Sequence, residues 1–176
     1  MPATLLIRLT LAALAASLLA SCGSTPSTSR APSRYNYSFK HGQTAVVRNG
    51  VAIAPPKAPR AVKAAIAAGN RIRHAPYQFG GGRGRRGDYG FDCSGATSYV
   101  LRSAGLLNGT GTSSSFKSYG KKGHGDWINV WARDGHVFLT VAGLRFDTGW
   151  HSSKGPRWTT KSRPSKGYVI RHPNGL

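Results

Sequence analysis

The chain has 176 residues, of which 25 are Lys or Arg and only 5 are Asp or Glu, for a formal net charge of +20. That length fits one domain of ordinary size, and a charge so one-sided points to anionic surroundings. Nucleic acid, a frequent partner of such charge, would call for a recognisable binding fold or a helix dense in Lys and Arg, and neither is present, so nucleic-acid binding is set aside.

In chain order, Met1 to Ser21 carries Arg8 as its one charged side chain and then an apolar run from Leu9 to Ala20, the pattern of a secretory signal and not of a membrane span. Leu19-Ala20-Ser21-Cys22 matches a bacterial lipobox, which makes Cys22 the expected site of lipid modification and a bacterial envelope membrane, facing periplasm or exterior, the expected location. An ordinary signal peptide with a chance cysteine is the alternative. Residues 22–59 are rich in Ser, Thr, Pro and basic side chains and read as a tether. Within it, Arg48-Asn49-Gly50 between two short apolar patches is a hairpin signal. Residues 61–72 are alanine-rich, with Val62, Ile66 and Ile72 near one face, and predict a helix.

The chain is organised around its next stretch: Pro76-Tyr77-Gln78-Phe79-Gly80-Gly81, a short loop, then Phe91-Asp92-Cys93-Ser94-Gly95 and a run free of helix breakers to Ala104. Cys93 is therefore expected at a helix N-terminus, where unsatisfied N–H groups favour a thiolate and can face a developing oxyanion. With Cys22 consumed by lipid, the two-cysteine chain leaves Cys93 no disulfide partner. An unpaired cysteine in an oxidising compartment is either buried and inert or kept for its chemistry.

These motifs, from about Ala61 to Thr148, resemble the NlpC/P60 cysteine peptidases of bacterial cell walls. The resemblance implies a papain-like α+β fold over residues 60–176, with a catalytic helix packed on an antiparallel sheet. It implies hydrolysis of peptide bonds in peptidoglycan, with no metal or other cofactor. It also implies that Tyr77, Asp92 and Ser94 line a pocket for the free amine end of a stem peptide, an arrangement that suits a carboxylate and two hydroxyls. Asp92 has a purely structural reading too, as a helix N-cap.

Arg83 to Asp88 reads as a basic, glycine-rich surface loop, either able to grip phosphate or carboxylate groups or simply solvated, and residues 109–125, past the helix, as a second and longer loop. Strand-like runs then fall at 127–132, 136–142, 144–148 and 167–171, which completes an α+β pattern. A cysteine nucleophile needs a base. Of six histidines, His136 alone starts a strand and also matches the base position of the resembled family, with His151 its rival. If the turn after that strand has two or four residues, Asp147 falls on His136's face and can orient it; a three-residue turn would put it on the other face. Asp147 stands where the family more often has histidine, and an exposed aspartate at a strand end is the plain alternative.

Three functions fit this reading: a lipid-anchored peptidoglycan peptidase using Cys93, His136 and Asp147, an amidase or lipid acyltransferase of the same fold, and a non-catalytic wall-binding lipoprotein.

Overall fold

Alanine-rich and β-branched segments sort as their periods dictate. A computed structural model describes residues 44–149 and 155–176; the signal, Cys22, the start of the tether and His151 lie outside the described residues. Val46–Arg48 (β1) and Val51–Ile53 (β2) pair antiparallel across Asn49-Gly50, both at positive φ, which is the hairpin expected there. Its backbone is tied to the next helix through Asn70, whose side chain accepts from Ala52 N at 2.9 Å and donates to Ala52 O at 2.8 Å. Ala45, Ala52 and Ala58 are buried, so residues 44–59 pack on the body of the domain although they fall in the stretch read as tether.

Helix α1, Arg60–Ile72, buries Val62, Ala65, Ile66, Gly69 and Ile72, a stripe at helical spacing. Helix α2, Cys93–Ser103, packs against α1 and buries Ala96, Val100 and Leu101. Residues 109–125 are not wholly loop: a short 3-10 turn at Ser115–Ser118 buries Phe116, and Lys121–Lys122 forms a two-residue strand, β3.

The remaining strands are β4 (Ile128–Arg133), β5 (His136–Val141), β6 (Leu144–Asp147), β7 (Arg157–Thr159) and β8 (Val169–His172). With β3 they make a six-stranded sheet in the order β3-β8-β4-β5-β6-β7, antiparallel at every pairing. Helix α2 lies on β5, and α1 reaches β7, where Gly69 lets the Trp158 ring sit against the helix backbone. Ile128, Val130, Leu139, Val141 and Phe146 fill the space between. Two helices on an antiparallel sheet are the α+β architecture expected from the sequence.

β5 and β6 are joined by Ala142 and Gly143 alone, both at positive φ, as a tight hairpin requires. The register Leu139↔Phe146, carried one pair further, sets Phe138 across from Asp147. Of the turn lengths open to the sequence reading, the two-residue one is present, and it puts Asp147 on the face that carries His136.

Candidate active site

Two backbone segments meet at the N-terminus of α2. Tyr77 and Phe91 form a parallel bridge, with Gln78 N donating to Phe91 O and Phe91 N to Pro76 O, so the Tyr77 motif and the Cys93 motif are one local structure. Gly95 makes this approach feasible, since a Cβ there would collide with the Gly81 carbonyl. Asp92 is the N-cap, accepting from Gly95 N through Oδ1. The first intrahelical bond, Ala96 N to Asp92 O, lies beyond Cys93, whose own N–H is one of the donors a helix start leaves without an intrahelical acceptor.

Cys93 is a free, partly exposed cysteine. It lines a cavity of about 200 Å³ together with Tyr77, Gly135, His136, Thr148, Gly149 and Arg163. The thiol and the His136 imidazole face the same cavity, near enough for Cys93 to be among the groups that raise the His136 pKa. His136 Nε2 lies 2.8 Å from Asp147 Oδ1. With Nε2–H donating to that carboxylate, Nδ1 is left as the acceptor toward sulfur, the tautomer a base needs.

Asp147 is buried, 5% exposed, and thoroughly held. Its Oδ1 also accepts from Thr148 N at 2.8 Å, and Oδ2 accepts from Arg163 Nη1 at 2.8 Å, with Arg145 Nε 3.5 Å away. Burial opposes charge on His136, but the hydrogen bond to Asp147, the Cys93 thiol and the Asp147 charge outweigh it, so its pKa is raised; Arg163 works in the opposite direction. The ring packs edge-on to Tyr168 and beside Phe138, which fixes its plane.

The structure thus brings Cys93, His136, Asp147 and Tyr77 together. Burial, with Cys93 and Asp92 nearby, pushes the Tyr77 phenol up. Asp92 and Ser94 are placed differently. Ser94 Oγ donates to Asp92 Oδ1 at 2.9 Å, while Asp92 Oδ2 accepts from Gly80 N at 3.0 Å. The guanidinium of Arg83 sits on both: Nη2 is 2.9 Å from Ser94 Oγ and 3.3 Å from Asp92 Oδ2, and Nη1 donates to Gly111 O at 3.3 Å. Arg83 therefore leaves the surface loop in which the sequence placed it, while Arg85 and Arg86 stay exposed.

Around this centre the walls are basic. A depression of about 620 Å³ shares Tyr77 with the Cys93 cavity and carries Arg73, His74 and Arg157. Another of about 220 Å³ flanks Asp147 and carries Arg145, Arg157 and Lys161. Arg163 is a site residue that the sequence does not reveal, and Arg83, in a loop read as able to grip an anion, meets a carboxylate of its own chain, Asp92. Neither lies in a periodic segment, and each reaches its carboxylate only through the tertiary path of a loop.

The chain is similar in structure to a mutated form of RipA, the Resuscitation Promoting Factor Interacting protein. The two are 21% identical and align over 74% of this chain and 72% of that one, with a TM-score of 0.50. The fold is NlpC/P60-like. NlpC1 from Trichomonas vaginalis is also similar, at 15% identity over 64% of this chain and 44% of that one, with a TM-score of 0.48. The chain thus spans less than half the length of NlpC1 and nearly three quarters of RipA. No protein-family model matches the sequence. Nor does any curated protein. In the NlpC/P60-like frame, Cys93 heads the helix, and His136 and Asp147 come from the two neighbouring strands that the Ala142-Gly143 turn sets in register.

Proposed function

We propose that the chain is a cysteine-dependent hydrolase that cuts peptide bonds in peptidoglycan stem peptides. The observation that carries this reading is that Cys93 and His136 line one cavity while Asp147 holds the far nitrogen of the His136 ring at 2.8 Å. In the proposed reaction, Cys93 Sγ attacks the carbonyl carbon as its proton passes to His136 Nδ1. The Cys93 backbone N–H donates to the oxyanion, and Asp147 stabilises the imidazolium through Nε2–H. His136 then gives the proton to the leaving amine as the C–N bond breaks. Water, deprotonated by the same ring, opens the thioester and restores the thiol. No metal enters this sequence of steps.

Peptidoglycan is the substrate this reading selects because stem peptides carry carboxylates and the cleft walls are basic. The lipobox at Cys22 supports a lipid-anchored location at the bacterial envelope. Digestion of purified sacculi with the full chain, followed by mass spectrometry of the released fragments, tests the proposal. New amino termini within stem peptides, absent when Cys93→Ala is used, are the expected result. An unchanged fragment profile would refute peptidase action, and acyl transfer to another acceptor would then be the alternative for the same residues.

A further inference from the structure

Arg83 changes what the subsite beside Cys93 can accept. A buried carboxylate paired with a hydroxyl, close to the phenol of a residue that lines the reactive cavity, is by its chemistry a seat for a cation. In this chain that seat is taken. The Arg83 guanidinium rests on Asp92 Oδ2 and Ser94 Oγ and is pinned on its other arm by Gly111 O. Its side chain is only 15% exposed, and that of Asp92 only 9%. The loop behind it is closed as well, since Asp88 Oδ2 accepts from the backbone N of both Arg83 and Arg85, at 2.8 and 3.0 Å.

An incoming ammonium would have to displace Arg83, break these contacts and leave a largely buried guanidinium without its carboxylate. We infer that Arg83 is a specificity-determining residue that excludes a free amine from this subsite, so that the substrate's residue there is N-acylated, its nitrogen still held in an amide. This rests on the peptidase reading and narrows it: the chain acts on stem peptides still joined through their amino ends, not on trimmed peptides with a free amine.

The test is a binding comparison with the full-length Cys93→Ala protein, which cannot turn over, titrated calorimetrically with synthetic alanyl-γ-glutamyl-diaminopimelic acid and with its N-acetyl form. The inference expects the acetyl peptide to bind at least as tightly as the free amine. Adding Arg83→Gln should uncover Asp92 and Ser94 and move the ratio about tenfold toward the free amine, as expected for a charge-assisted contact. If the free-amine peptide binds about tenfold more tightly while Arg83 is present, the inference fails and the peptidase reading stands. If Arg83→Gln folds and leaves the ratio unmoved, Arg83 is not the determinant. Should that variant not fold, the comparison with Arg83 present still decides. Binding of neither peptide would overturn the stem-peptide reading and this inference with it.

Discussion

Asp147 Oδ1 lies 2.8 Å from His136 Nε2, on the strand that succeeds His136's own across a two-residue turn. A neutral side chain could orient the ring, but only a carboxylate adds charge to the imidazolium. Asp147→Asn should therefore lower the His136 pKa, read by NMR titration of the ring, and reduce turnover by roughly 10²–10⁴-fold while the fold persists. The stability consequence has a definite sign. Because the folded pKa is raised, the contribution is fully present below the unfolded value of about 6.5 and is lost as pH climbs through the folded pKa. In Asp147→Asn that contribution should be smaller and its loss complete at lower pH, which urea denaturation across the range will show. Equal titration in both proteins would remove Asp147 from the site.

Arg163 sets the opposite bias, its guanidinium 2.8 Å from Asp147 Oδ2 and its charge disfavouring imidazolium. Arg163→Gln should raise the His136 pKa further, the reverse of Asp147→Asn, and cost less turnover. An unchanged or lowered pKa would mean that Arg163 acts mainly by holding Asp147 in place.

Cys93 is reachable through its cavity, so iodoacetamide should alkylate it in the native protein, and His136→Ala should slow that reaction. Alkylation only after unfolding would mark a structural thiol and favour a non-catalytic wall-binding role.

Gly95 carries the docking of the Tyr77 segment on α2. A Cβ there would strike the Gly81 carbonyl, and neither backbone can yield cheaply. Gly95→Ala should destabilise the domain by about 1–3 kcal/mol, measured by urea unfolding, and impair turnover by shifting Tyr77 and Asp92 together.

Much of this is legible from residue order, for identifiable reasons. Helix α1 announces itself through Val62, Ile66 and Ile72, and α2 through Asp92 as cap and a run without breakers. The His136 to Asp147 pairing comes from period-two alternation once the turn length is fixed, and Gly143 is the residue that lets so short a turn close. The strand Arg157–Thr159 escapes notice because it is three residues long and is defined by its pairing with β6 and by the Trp158 contact at Gly69. The partner of Arg83 escapes for a related reason. An arginine among glycines and other arginines reads equally as solvated or as gripping some anion, and only the path that brings Gly81 onto Gly95 shows that its guanidinium goes to Asp92 and Ser94.

Digestion of sacculi in heavy-oxygen water separates hydrolysis of stem-peptide bonds by Cys93 from any other use of that thiol. Each newly formed carboxyl group should carry one oxygen from the solvent, its partner amine should appear in equal amount, and Cys93→Ala should yield neither. Release of no new termini by the folded, alkylatable protein would rule out such hydrolysis, as would a Cys93→Ala protein that cleaves as well as the parent.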